Sequence, residues 1–391
     1  MRPTLLFTAK HILPAIVFLI VGAAVTFGWT RAQLQNHFAA MQMRSGDHVV
    51  NVAEYVEIGD IPQWITMRGQ DRTNPVLLYL HGGPGAAASG YAYSYQYPWE
   101  DVFTVVHWDQ RGAGRSRPEA GLTLDSMTME QMLSDTVEVV DHLRARFNQE
   151  KIFVIGKSWG SMLGALLAKR RPDLLYAYIG IGQTVTWEEN FEESRRLLID
   201  HARAEGDQET IDLLTNAGPM PNPREDEDVY FDWLETIQSP LYTRGKYWHA
   251  QSNPGDIPLR MVATALLSPD MTYGEITTFR NDDAAHYVIE LMKDPAVFTF
   301  DLHGEGYDFD VPVILTMGEH DWVTPPTLAK AYFDNIDAPY KKYVAFEHSA
   351  HMVGLYEESG LFFRMLIEDA LPLMQEDGAY RTPRQDLGKS G

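Results

Sequence analysis

Apolar positions along this chain fall into short unbroken runs, each closed by a polar or glycine-rich stretch. PVLLYL (75–80), FTVVHW (103–108), KIFVIG (151–156) and LLYAYIGIG (174–182) are of this kind. A run of four to eight apolar residues without polar alternation predicts a strand covered on both faces, as in a parallel sheet. Ahead of them, EYVEIGDIPQWITMRG (54–69) alternates around Gly-Asp and predicts two strands joined by a turn. Between the runs the period changes to that of a helix. From Thr128 to Phe147, Leu133, Val137, Val140 and Phe147 share one face, and Thr128 with Gln131 forms a capping box. SMLGALLAKRRP (161–172) predicts a second helix, ended by Pro172. Strand alternating with helix predicts an α/β fold with a doubly wound, mostly parallel sheet.

The alternation stops near Gln183. From 183 to 306 the pattern is helical, rich in Glu, Asp, Trp and Tyr, and broken by PMPNP and SNPGDIP. This stretch is expected to be an inserted helical cap. The sheet pattern returns in VPVILTMGEHD (311–321) and YKKYVAFEHSAH (340–351), and Leu361 to Met374 predicts a closing helix. The expected organisation is therefore a first core part over 41–182, the cap over 183–306, a second core part over 307–375 and a polar tail over 376–391.

Residues 1–40 read differently. Ile12 to Trp29 carries no charge over eighteen residues, about the length needed to cross a hydrocarbon core as a helix. A cleaved signal peptide has a shorter apolar centre and small residues at its cleavage site, and Thr30-Arg31-Ala32 fits that site poorly. The expectation is one uncleaved N-terminal membrane helix. Arg2 and Lys10 before it and Arg31 after it favour an extracytoplasmic catalytic domain. The alternative is a periplasmic or secreted protein after signal cleavage.

Composition narrows the partners. A formal net charge of −22 disfavours nucleic acid, which needs a basic face. The chain has no cysteine, so disulfides and thiolate chemistry are excluded. The histidines show no metal-binding spacing, and neither a metal nor another cofactor is expected.

The chemistry centres on VIGKSWGSMLG (154–164), where Ser158 sits between Gly156 and Gly160 at a predicted strand-to-helix corner. A sharp corner lifts one side chain above the sheet, and flanking glycines relieve the crowding, as the nucleophile-elbow motif requires. A serine hydroxyl needs a base and an orienting acid. Asp321 and His351 each follow a predicted strand, in the chain order Ser, acid, His. Glu319 is a rival for the acid and His348 for the base. Asp321 is preferred because it lies further out in its loop, and His351 because Ser349 and Ala350 leave it room. Two backbone donors are expected to form the oxyanion hole: the amide of Trp159 and that of Gly83, in the glycine-rich loop His81–Gly85.

Taken together, HGGPG (81–85), DQRGAGRS (109–116), GKSWGS (156–161), GEHD (318–321) and SAH (349–351) resemble the prolyl aminopeptidase (proline iminopeptidase) branch of the α/β-hydrolase fold, over about Glu54 to Leu373. The resemblance implies a capped serine hydrolase that removes an N-terminal residue, often proline, from short peptides or amino-acid amides. Ser158, Asp321 and His351 match the family's triad, and Trp159 and Gly83 its oxyanion donors. Lys157 departs from the family, which commonly has Gly before the serine. Its ammonium can favour an oxyanion, disturb the pocket or point to solvent. Asp109-Gln110-Arg111 also matches, with a structural role expected.

A free amino group calls for carboxylates, and the first cap segment offers Glu188, Glu189, Glu192 and Glu193, beside Trp187. Solvent and the helix dipole account more readily for acids in a helix's first turns. Trp187, Phe191, Trp233, Tyr247 and Trp248 are candidates for an apolar wall or for cap core. A carboxylesterase or lactone hydrolase on the same triad is the alternative function, and a non-catalytic binding homologue a remote one. Carboxylates in the pocket would favour the peptidase, and a wholly apolar interior the esterase.

Overall fold

Among the described residues, the sheet predicted from the apolar runs has eight strands in the order β1-β2-β4-β3-β5-β6-β7-β8. These are β1 (Val50–Ile58), β2 (Ile61–Gly69), β3 (Val76–Leu80), β4 (Thr104–Trp108), β5 (Ile152–Lys157), β6 (Leu175–Ile181), β7 (Val313–Gly318) and β8 (Lys341–Phe346). This computed structural model describes residues 4–116, 122–243, 263–272, 274–275, 282–355 and 357–374, with side chains from residue 21 onward except 242 and 282–285. β1 and β2 are antiparallel, β2 runs antiparallel to β4, and every later pair is parallel. The Gly-Asp turn is as predicted: Gly59 and Asp60 have φ of 55° and 61°, the two left-handed residues of a type I′ hairpin.

Alternate residues of the parallel strands feed two apolar layers. Leu78, Leu80, Val106, Val154, Val313 and Leu315 face the layer that holds helices α2 (Met129–Phe147) and α3 (Trp159–Arg170). Leu77, Val105, Phe153, Ile155, Ile179 and Ile314 face Trp99 and the closing helical segment around Phe362 and Met365. Burial on both sides explains why these strands show no polar alternation. β1, at the sheet edge, does alternate in exposure. The closing segment begins as an α-helix at Ser359–Met365, widens to a π turn over Leu366–Ala370 and ends in a 3₁₀ turn over Leu371–Met374. Thr128 caps α2 by accepting from the Gln131 amide at 3.2 Å. The Gln131 side chain does not return to Thr128 and donates to Asp135 instead.

The chain leaves the sheet after β6 and builds cap helices α4 (Trp187–Glu205), α5 (Gln208–Asn216), α6 (Glu227–Thr243) and α7 (Asp282–Met292) before β7. Tyr247, Trp248, the SNPGDIP stretch and the tail from 376 lie outside the described residues.

α1 runs from Thr4 to Met41. Half of the predicted span Ile12–Trp29 falls on residues whose side chains lie outside the description, and among the described residues no helix is long and apolar enough to cross a membrane. Val21, Val25, Phe27 and Trp29 are all exposed. The last turns of α1 contact the rest of the molecule. Arg31 donates to the carbonyls of Leu266 and Met271 at 2.9 and 2.7 Å, Gln35 to those of Ser268 and Met271, and the Phe38 ring meets Tyr93. Polar side chains spaced along one face of a helix bind carbonyls that a sequence pattern cannot locate.

Candidate active site

Ser158 occupies the corner between β5 and α3 with φ 52° and ψ −120°, a conformation rare for a residue with a side chain. The glycines around it are required by space. A Cβ on Gly156 would lie 2.4 Å from the Gly160 carbonyl oxygen, and one on Gly160 would lie 2.2 Å from that of Leu80. The Ser158 amide donates to the Ile181 carbonyl at 2.9 Å, which fixes the corner against β6. Trp159 is the first residue of α3, so its amide is one of those without an acceptor inside the helix.

Asp321 and His351 come together behind this corner. The His351 Nδ1 lies 2.9 Å from Asp321 Oδ2, and both side chains are fully buried. Asp321 also accepts from the Val323 and Thr324 amides at 2.8 and 2.9 Å and from the Thr324 hydroxyl at 2.6 Å. Burial alone would raise the Asp321 pKa. The adjacent His351 and these hydrogen bonds outweigh it and hold the carboxyl below its ordinary value. For His351, burial together with the charge of Lys157 outweighs Asp321, so its pKa lies below the ordinary value for histidine. The imidazole is therefore neutral at pH 7 and can accept a proton. The rivals Glu319 and His348 are exposed.

Ser158 and His351 line one cavity of about 390 Å³, together with Gly82, Gly83 and Pro84. Its cap side is made by Phe231, Leu234 and Gln238 of α6 and Val288 and Met292 of α7. A Cβ on Gly82 would stand 3.2 Å from that of Ser158, so a glycine there lets the loop approach the serine.

Three motifs prove to be one network. The Trp159 indole donates to Gln110 Oε1 at 3.0 Å, and Gln110 Nε2 donates to the His81 carbonyl at 3.1 Å. The Gln110 amide donates back to His81 Nε2 at 3.2 Å. His81 Nδ1, 2.8 Å from the Gly82 carbonyl, then carries the proton. Burial pushes the His81 pKa down to about 4, which keeps it in that neutral form. Both loops that flank the serine are thereby tied to the first residue of α3. Arg111 works further away: it makes a buried bidentate pair with Asp135 of α2, at 2.8 and 3.0 Å, and donates to the Gly59 carbonyl at 2.7 Å.

Residues 75–205 match the family described as alpha/beta hydrolase fold. The chain is 30% identical over 334 residues to a probable aminopeptidase of Bacillus subtilis, YbaC, covering 82% of this chain and 96% of that one. The chain belongs to the prolyl aminopeptidase-like α/β hydrolases. A proline iminopeptidase of Neisseria meningitidis is 35% identical over 119 residues, 30% of this chain and 36% of that one. Among solved structures, a proline iminopeptidase-related protein of Thermus thermophilus shares the fold with a TM-score of 0.57 at 18% identity, over 83% of this chain and 99% of that one. This protein is accordingly a hydrolase.

Membership of this family does not carry the cap glutamates into the site. Glu188, Glu189, Glu192 and Glu193 line a separate depression on the outside of α4. Glu192 pairs with Arg195 and Glu193 with Arg196, while Glu189 accepts from the Thr186 hydroxyl. None of the four lines the cavity that holds Ser158. Their i, i+3 arginines and their solvent face satisfy them, as the dipole reading of the sequence allowed. For Trp187, the structure matches the cap-core alternative. This residue stacks edge-on with Phe191, which meets Trp233 in the same way, so the three form the core between α4 and α6.

Several contributors escaped the sequence reading. Thr324 and Gly182 brace the acid and the base: a Cβ on Gly182 would lie 2.8 Å from the Thr324 hydroxyl and 3.3 Å from His351 Cε1. Glu357 accepts from the Ala350 amide at 2.9 Å, and Glu358 from the His348 amide and the Ser349 hydroxyl, so two acids hold the loop that carries His351. Lys157 is not directed to solvent. It is buried, lines the cavity, and donates from Nζ to the His351 carbonyl at 2.9 Å.

Proposed function

We propose that this enzyme is a serine aminopeptidase acting on short peptides or amino-acid amides through an acyl-enzyme. The carrying observation is that Ser158, held at the corner of β5 and α3, lines one cavity with His351, whose Nδ1 is 2.9 Å from Asp321. The relation to a probable aminopeptidase over nearly the whole of that relative supports the substrate class. In this reading His351 takes the Ser158 proton as the oxygen attacks the carbonyl. Asp321 orients and stabilises the imidazolium. The amides of Trp159 and Gly83 hold the oxyanion. His351 then protonates the leaving amine, and water repeats the sequence on the ester. The apolar stretch Ile12–Trp29 and the exposed Val21, Val25, Phe27 and Trp29 support a membrane anchor, and Arg2 and Lys10 before it against Arg31 after it favour a catalytic domain on the extracytoplasmic side.

A second reading, an esterase on the same residues, is favoured by one feature: no carboxylate lines the cavity among the described residues. Paired chromogenic substrates separate the two. Proline, alanine and leucine p-nitroanilides with free amines should be hydrolysed and their N-acetyl forms should not. Preferential turnover of a short-chain ester, indifferent to the amine, would instead make the protein an esterase. In either case Ser158→Ala should abolish turnover without altering the melting temperature, and full activity in that variant would remove Ser158 from the mechanism.

A further inference from the structure

The polar side chains of the cavity wall are unusual for a site that is to receive an amine. Tyr79, Tyr91, Tyr95, Gln238 and Lys157 line it, and the charged one is a cation. Lys157 is held in place by one hydrogen bond, from Nζ to the His351 carbonyl at 2.9 Å. An ammonium has three N–H donors, so two remain for a ligand. Among the described residues Lys157 forms no ion pair, and Asp321, the acid whose charge it feels, is committed to His351, Val323 and Thr324. A buried ammonium without a counter-ion is costly, and that cost is offset when an anion enters beside it. Burial lowers its pKa to about 8, which leaves it mostly charged at neutral pH.

We propose that Lys157 makes the acyl side of the cavity a carboxylate-binding subsite, in a cavity that Tyr79 and Tyr95 also line, and that the enzyme prefers acyl groups bearing an acid, such as an N-terminal glutamyl or aspartyl residue. The proposal rests on the aminopeptidase reading for its substrate class, and on the geometry of Lys157 for its chemistry. An α-ammonium alone would be repelled by Lys157. An acidic N-terminal residue carries its own carboxylate to place against that cation, and this removes the conflict between a cationic wall and a free amine.

The test uses the full chain in detergent micelles and compares kcat/KM within two matched pairs: glutamyl against glutaminyl p-nitroanilide, and mono-p-nitrophenyl glutarate against p-nitrophenyl pentanoate. Hydrogen bonds to a charged partner predict a preference for the acid of about tenfold to a hundredfold. In Lys157→Met that ratio should fall to near one. Lys157 also tethers the His351 loop, so the variant is expected to be slower on every substrate, and only the ratio reports the subsite. A ratio of one or less in both pairs of the parent enzyme overturns the proposal, as does a ratio that Lys157→Met leaves intact. Hydrolysis of prolyl or leucyl anilides with glutamyl disfavoured would defeat the subsite and spare the aminopeptidase. Acid preference in the esters with all anilides inert would do the reverse. If all four substrates are inert, thermal stabilisation by glutarate decides: a rise in melting temperature greater than with the uncharged pentanamide and lost in Lys157→Met supports the subsite, and an equal response to both compounds overturns it.

Discussion

Gly182 illustrates how little free volume surrounds the candidate triad. Its φ of 57° already disfavours a side chain, and an added methyl would press on the Thr324 hydroxyl, 2.8 Å away, and on the His351 ring. Gly182→Ala should therefore cost roughly 1–2 kcal/mol of stability from the backbone alone. Displacing the imidazole should lower kcat/KM by up to about a hundredfold. Steady-state kinetics with a melting curve would test both; unchanged activity would show that His351 is not positioned from this side. The same imidazole sets a pH dependence. It must be neutral to act as a base, and burial with Lys157 holds its pKa below the ordinary 6.5. The acidic limb of kcat/KM should have its midpoint below pH 6.5 and rise with pH. Removing the Lys157 charge in Lys157→Met should move that midpoint upward, and a midpoint that stayed put would deny the electrostatic coupling.

Among the elements, α1 is the one whose role the structure changes most. Its exposed apolar residues lie toward the predicted span, while Arg31, Gln35 and Phe38 bind the segment 266–271 and Tyr93. Just beyond it, Arg44 pairs with Glu100 and Asp101, and Glu100 is itself buried. Deleting residues 1–30 should leave the melting temperature of the domain unchanged. Deleting 1–45 should lower it, because Glu100 then loses its cation and the carbonyls of Leu266, Ser268 and Met271 lose donors. Equal melting temperatures for the two truncations would mean that α1 merely lies on the surface. In α3 the sequence signal was complete: small residues at the corner, apolar residues through the turn and Pro172 after it. In α4 the acidic first turns fitted two roles, and the helix's orientation, with Trp187 and Phe191 inward, turned the glutamates out.

The molecule as a whole carries buried histidines that respond to acid. Burial lowers the pKa of His81 to about 4 and of His107 to about 3, from an ordinary 6.5. The unfolded chain binds protons at these positions near pH 6.5, whereas the folded protein refuses them until pH 3 to 4. Their contribution is thus present above pH 6.5 and lost as pH falls through that window. The melting temperature should drop between pH 6.5 and 4, with an uptake of about two protons on unfolding from this pair. A flat profile across that range would show that His81 and His107 titrate normally. The strand runs, the hairpin turn, the corner glycines and the order of Ser158, Asp321 and His351 were all legible in the chain, because each depends on neighbours within a few residues or on a burial pattern repeated along it. Whether the cap glutamates face the cavity, where Lys157 points and what the end of α1 touches depend on groups far apart in sequence. Those were settled when the sheet placed β5 beside the loop of His351 and the cap closed over it, since a side chain's partner and its cost of burial exist only once distant segments share the same space.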